Sequence, residues 1–208
     1  MWPTSHGSAD LPGVPVVLRQ WTALPPEGFT VTSTGDPEEA LGKVGMLVTV
    51  LRPGSASRRA RAVVREVLLA EGAPGDDIAD AEAVAAELAA NCERHARPPY
   101  EIRVFDLAGV PTWCELVDGD PDLGWIPAVL DSSRPRIAPD LFAENGRGLL
   151  LVRELSRGYC RAYPTTTFTT DAPAKAVAFA LPTRWGTRLT CPPLLHLGRR
   201  SARLQQEP

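Results

Sequence analysis

Lysine is almost missing from this chain. Lys43 and Lys175 are the only two among 208 residues, so arginine carries nearly all of the positive charge. Net charge is −3, which gives no basic face for a nucleic-acid partner. No apolar run approaches the roughly 20 residues that a membrane helix needs. The segment from Met1 to Leu11 lacks both the basic start and the apolar stretch of a signal peptide. The four cysteines, Cys92, Cys114, Cys160 and Cys191, form no Cys-x-x-Cys pair. That spacing excludes a zinc ribbon or a dithiol redox motif and fits reduced thiols in the cytoplasm. With 44% hydrophobic residues, the chain can bury the core of one domain plus some additional segments.

Local patterns organise the chain. Residues 1–45 read as an N-terminal extension, partly disordered. It holds short strands at Val14–Trp21 and Phe29–Thr34, and a helix start at Asp36-Pro37. Met46–Leu51 is apolar and strand-like. Ser55–Ala70 places Ala60, Val63, Val64, Val67 and Leu68 at helical spacing, with arginines on the other face. Gly72 then suits the residue just past a helix end. A second helix runs from Asp76 or Asp77 to Ala96 and stops before Pro98-Pro99. Tyr100–Leu107 and Thr112–Val117 read as a hairpin. Residues 118–147 are loop-like, Gly148–Leu155 helical, and Arg157–Ala162 and Lys175–Leu181 two further strands. Residues 182–208 read as a C-terminal tail. Helices segregated from antiparallel strands predict an α+β fold, a two-layer α/β sandwich with a mixed, mainly antiparallel sheet. The missing strand-helix-strand alternation excludes a dinucleotide-binding doubly wound sheet.

Three segments carry polar groups suited to chemistry. In Glu87-Leu88-Ala89-Ala90-Asn91-Cys92-Glu93-Arg94-His95-Ala96, the residues Glu87, Asn91 and His95 recur every fourth position and share one helix face. Beside them runs the apolar stripe Ala81, Ala85, Leu88, Cys92. A carboxylate and an amide one turn apart suit a hydrated Mg²⁺ or an oriented nucleophile. In Val117-Asp118-Gly119-Asp120-Pro121, a carboxylate at a strand end is placed to accept from an exocyclic amine. In Glu144-Asn145-Gly146-Arg147-Gly148-Leu149, two glycines precede an apolar helix. Its backbone N–H groups could then approach a phosphate, with Arg147 adding charge. Each segment alone also has a plain structural reading: a solvated helix edge, an Asp-Gly turn, a tight loop entering a core helix.

Their order resembles the GHKL superfamily of ATP-binding domains, and the anti-sigma-factor serine/threonine kinases within it. The E-L-x-x-N-x-x-x-H-A helix is similar to the N box, the Asp118 turn to the G1 box, and Gly146-Arg147-Gly148-Leu149 to the G2 box. The resemblance covers residues 46–181. It implies a Bergerat-type sandwich that binds ATP and Mg²⁺. By it, Asn91 would hold Mg²⁺ and the phosphates, and Glu87 would be the catalytic general base. Asp118 would bind adenine, and Gly146 and Gly148 would stand at the end of the ATP lid spanning Pro121–Asn145. His95 matches a family histidine of structural role. The implied partners are a STAS-type anti-anti-sigma protein, a sigma factor, or both, with a homodimer as a further expectation and no direct nucleic-acid or membrane contact. The sequence departs from the family in the G1 box, where Asp118-Gly119-Asp120-Pro121-Asp122 replaces D-x-G-x-G and adds an acid near the nucleotide. The stretch Arg157–Thr170 also departs from the usual family strand.

Three other functions compete with an active kinase. A non-catalytic, nucleotide-dependent partner-binding module would keep the site as a switch. A sensor histidine kinase would need a phosphoacceptor helix pair, whereas His6 and His196 lie in the two terminal segments. A metalloenzyme using Glu87, Cys92 and His95 would need three side chains that a helix of 3.6 residues per turn does not aim at one point.

Overall fold

The computed structural model describes residues 16–21, 44–107, 109–131 and 147–188. In chain order the elements are β1 (Val16–Trp21), β2 (Val44–Leu51), α1 (Ala56–Ala70), α2 (Gly75–His95), β3 (Tyr100–Leu107), β4 (Val110–Asp118), α3 (Ile126–Leu130), α4 (Arg147–Leu155), β5 (Cys160–Thr166) and β6 (Pro173–Ala180). The expected strand at Phe29–Thr34, the helix start at Asp36 and Gly146 lie outside the described residues. So do most of the expected lid and the tail beyond Arg188.

Helix α1 forms because its small and apolar residues make one stripe. Ala56, Ala60, Val63, Val64 and Leu68 are all buried, and Arg58, Arg61 and Arg65 lie off that stripe. It ends where Gly72 takes φ +69°, a left-handed conformation that costs glycine nothing. The N–H of Ala73 then donates to Leu68 O and that of Gly72 to Leu69 O, both at 3.1 Å, the two bonds of a Schellman stop. Helix α2 buries a broader face, including Ala81, Ala85, Leu88, Ala89 and Cys92. Four of its buried residues are alanines, so it can lie close to its neighbours. Arg65 of α1 grips the Glu82 carboxylate of α2 through Nε and Nη2, and Ser57 Oγ donates to Ala86 O at 3.0 Å.

The strands of the described residues form one sheet in the order β1-β2-β3-β4-β6-β5, antiparallel at every pairing. This is the expected α+β sandwich, with a sheet antiparallel throughout. Tyr100, Ile102, Val104, Cys114, Leu116, Val177 and Phe179 join α1, α2 and α4 in one core. Side chains alternate across a strand, so Asp118 and Lys175 also face the helices. The register pairs them directly, Asp118 opposite Lys175. Both faces of the central strands are buried, so their polar residues Glu101, Arg103, Thr112 and Glu115 are buried too.

The remaining differences from the sequence reading have local causes. The strand expected at Arg157–Ala162 begins three residues later, at Cys160, because Arg157 and Gly158 turn the chain with φ of +56° and +79°. It runs on to Thr166 because its threonines pair with Ala174 and Pro173. The loop expected over 118–147 contains the short helix α3. After β6, Arg188 donates to Ala180 O at 2.8 Å and reaches Asp77 Oδ1 at 3.4 Å. Arg157 meets the same oxygen at 3.2 Å, so the segment after β6 is pinned to the start of α2.

The other sheet face holds buried charges with assigned partners. Arg103 donates to Glu101 Oε2 at 2.6 Å and lies 3.7 Å from Glu115 Oε2. Glu101 also accepts the backbone N–H groups of Phe168 and Thr169 at 3.0 and 2.9 Å, and Tyr163 donates to Glu115. Burial alone would push the Glu101 carboxyl up, yet the Phe168 amide, Arg103 and the Thr169 amide together hold it below its usual value. A depressed carboxyl adds stability that is complete above the unfolded-state glutamate range and is lost as pH falls through the folded value. Glu101→Gln is therefore expected to cost about 3–5 kcal/mol at neutral pH, because Arg103 loses its main counter-charge. The gap from wild type should close in acid, where the wild-type carboxyl is protonated too. Chemical denaturation of both proteins across this pH range checks it; a gap that does not change with pH would assign the loss to packing.

Candidate functional site

A cavity of about 250 Å³ opens between α2, the ends of β4 and β6, the loop after β4 and the start of α4. Leu88, Leu116, Leu149 and Val177 give it apolar walls. Asn91, Cys92 and His95 enter from α2, and Asp118 and Lys175 from the sheet. The four α2 lining residues, Leu88, Asn91, Cys92 and His95, with Ala96 just past the helix end, recur at three- or four-residue steps, the geometry of one helix face.

Asp118 is almost fully buried on β4. Its Oδ1 accepts from Lys175 Nζ at 3.0 Å and from the Asp120 N–H at 3.0 Å, and the carboxylate lies near the buried Cys92 thiol. Burial pushes this carboxyl above its usual value, with Lys175 and the Asp120 amide pulling the other way. Burial likewise pushes the Cys92 thiol up, so it stays protonated and is not a nucleophile. Three successive aspartates then fold the loop. Asp118 accepts from the N–H of Asp120, Asp120 from that of Asp122 at 3.2 Å, and Asp122 from that of Gly124 at 2.9 Å. Each is an Asx turn. The extra acid of the G1-like segment is thus both a turn former and a partner of Lys175, which lies 3.1 Å from Asp120 Oδ2. The Asp122 amide and Lys175 hold the Asp120 carboxyl below its usual value.

Glu87 lies one turn before Asn91 on α2, outside the cavity lining. Its Oε1 accepts from Arg94 Nη2 at 2.9 Å. The same guanidinium nitrogen donates to Asn91 Oδ1 at 2.8 Å, so Arg94 bridges the two residues. Arg94 was not among the residues singled out from the sequence; its i+3 and i+7 spacing from Asn91 and Glu87 is the signal that marks it. Arg147 opens α4 as an exposed residue, with Gly148 next to it. A side chain at Gly148 would meet the Glu87 carboxylate, since a Cβ there would sit 2.0 Å from Oε1. Gly148 therefore lets the start of α4 approach Glu87. Gly146 lies outside the described residues. Gly119 serves another close approach. A Cβ there would lie 2.7 Å from Pro98 O, where the Gly119 N–H donates to Arg97 O at 2.9 Å. Cys92 and His95 share the cavity; among the described residues no group of three His, Cys, Asp or Glu side chains could hold a metal ion.

The family model of the histidine kinase-like ATPase domain matches residues 51–167, more than half of the chain. The chain belongs to this family. No curated protein matches it. As a histidine kinase-like ATPase domain, it carries its polar cavity residues within or next to the matched span, with Lys175 just beyond its end. Among the described residues, no helix is long and apolar enough to cross a membrane.

The two close approaches differ in what must yield. At Gly119 the obstacle is backbone, whereas at Gly148 it is the end of a flexible side chain. Gly119→Ala is expected to destabilise the domain by about 1–3 kcal/mol. Gly148→Ala should leave stability within about 1 kcal/mol, because better helix propensity offsets the displaced carboxylate. Urea denaturation of both variants checks this order, and the reverse order would mean that the Glu87 contact is rigid.

Proposed function

We propose that this domain binds ATP with Mg²⁺ and acts as an anti-sigma-type serine/threonine kinase, in transcription regulation. Its substrate would be a small STAS-type anti-anti-sigma protein, and a sigma factor its second partner. The observation that carries the nucleotide part is a buried carboxylate acceptor, Asp118, set among the apolar walls Leu88, Leu116, Leu149 and Val177. Adenine fits that donor set: it has flat apolar faces and an exocyclic amine that needs an acceptor. The family match supports ATP as the nucleotide.

Mg²⁺ takes hard oxygen ligands and keeps several waters, so a single amide oxygen suffices from the protein. Asn91 Oδ1, at the cavity wall, fits that role once Arg94 releases it. Arg94 is more than half exposed and has room to swing aside. Bound Mg-ATP would supply the phosphoryl group, with the ion neutralising charge on its oxygens. Glu87 would take the proton from the attacking serine hydroxyl at its carboxylate, one helical turn from Asn91. Arg147, exposed at the start of α4, would add a charged contact to the phosphates.

The Arg94 bridge favours one other reading. A guanidinium holding both Glu87 and Asn91 describes a site at rest, as a nucleotide-dependent binding module would use it. Phosphate transfer to a STAS-type protein separates the two.

For binding, Asn91→Ala is expected to remove most of the Mg²⁺ dependence of ATP affinity. Asp118→Asn is expected to weaken ATP by about ten- to a hundredfold and to erase its advantage over GTP, which presents a carbonyl in place of the amine. Calorimetric titration with each nucleotide, with and without Mg²⁺, measures both. A wild type indifferent to Mg²⁺ and to the base would sink the assignment. For catalysis, Glu87→Gln keeps shape and hydrogen bonding but not basicity. It should bind ATP as wild type does and lose transfer to a STAS-type protein by about 10²–10⁴-fold. A variant as active as wild type would remove Glu87 from the mechanism.

A further inference from the structure

One of the chain's two lysines stands at the cavity, and the reading above gives it no task. Lys175 sits on β6 between Ala174 and Ala176, its side chain only 7% exposed. An ammonium carries three N–H donors. Three oxygens lie within reach of Nζ: Asp118 Oδ1 at 3.0 Å, Asp120 Oδ2 at 3.1 Å and the Asp120 backbone carbonyl at 3.1 Å. Every donor is therefore engaged, and Lys175 has none left for a ligand. On the other side of the pair, Oδ1 of Asp118 receives both Lys175 and the Asp120 N–H. Neither contact uses Oδ2. The cross-strand register fixes this geometry, because Asp118 and Lys175 are directly opposed on adjacent strands.

We propose that Lys175 is the positioning residue of the base site: it holds Asp118 by Oδ1 and partly balances Asp120, so that Asp118 stays a charged acceptor whose Oδ2 receives the exocyclic amine of adenine. The inference rests on the ATP reading and names what makes that site selective. Without Lys175, two neighbouring carboxylates would face each other with no cation between them, one of them buried. A buried, unpaired carboxylate takes up a proton. Protonated, it becomes a donor and presents the wrong group to an amine. Arg97 is another cation at this loop, but its Nε donates to Gly119 O at 3.0 Å and its charge acts on Asp120 rather than on Asp118. Cys92 on α2 is a protonated thiol, Tyr100 pairs with Asp118 across β3, and Asp120 and Asp122 are acids. His95 lines the same cavity.

The test compares wild type with Lys175→Met, Lys175→Arg and Asp120→Asn in two measurements on the full chain. The first follows the Asp118 carboxyl by carbon NMR in the nucleotide-free protein. The second titrates ATP and GTP by calorimetry across the neutral pH range. In Lys175→Met, the Asp118 titration should move up by about one unit or more. ATP affinity should fall by about ten- to a hundredfold, the loss should deepen as pH falls, and the preference over GTP should vanish. Lys175→Arg should restore much of the preference, since it keeps the charge. Asp120→Asn should keep it, since Lys175 still holds Asp118. Lys175→Gln is carried alongside with the same expected direction as the methionine variant, should that one not fold. Unchanged Asp118 titration and unchanged ATP preference in the uncharged variants would overturn the inference while leaving ATP binding intact. A wild type that binds neither nucleotide would overturn the ATP reading and the inference together.

Discussion

The close seating of α2 is the constraint on which the rest of the structure depends. This helix packs on α1, on α4 and on the sheet, and it carries Glu87, Asn91, Cys92 and His95 to the site. It can do so because Ala81, Ala85, Ala86 and Ala89 are small and buried. A larger residue at any of them would lift the helix and open the cavity. At the α4 end the same logic removes a side chain altogether, at Gly148, so that the two helices meet beside Glu87. Helix packing and site geometry are thus set by the same few small residues.

Much of the fold was legible as periodicity. The stripe of α1, the stop at Gly72 and the hairpin of β3 and β4 each follow from local rules that the sequence obeys. The end of α2 before Pro98 is equally local. What was not legible depends on long-range register or on backbone reversal. The start of β5 could not be placed because Arg157 adopts a left-handed conformation that no propensity favours. Helix α3 escaped because five residues, Pro127 among them, are too few to leave a periodic trace.

The site divides in the same way. Glu87, Asn91 and Asp118 stood out because their residue types and their order along the chain together resemble the boxes of a known family. Their surroundings did not. Lys175 is separated from Asp118 by 57 positions, and only the pairing of β4 with β6 makes them neighbours. The available hint was a lone lysine among alanines on a buried strand, in a chain that otherwise uses arginine. Gly119 read as a turn residue, yet its φ is ordinary and its purpose is to let the chain pass Pro98. Asp120 read as an acid intruding on a nucleotide site. With Lys175 in place its charge is partly balanced, the one ammonium being shared between Asp118 and Asp120.

A buried ion pair is a poor way to stabilise a fold. Desolvating two charges offsets most of their attraction, and an apolar pair of similar volume would serve stability as well or better. The strands around Asp118 and Lys175 show that this sequence had that option, for Cys114, Leu116, Val177 and Phe179 line the same face with apolar groups. The pair on the opposite sheet face, Glu101 with Arg103, is different in kind. Its charges are saturated by backbone amides and a hydroxyl, and it ties the Thr167–Thr170 turn to β3. Asp118 and Lys175 tie the β4–β6 register, which the backbone already fixes, and they do so at a cavity wall. What the pair adds is a carboxylate of fixed charge and direction at the wall of the cavity. That is a reason to keep two charges where leucines would fold as well.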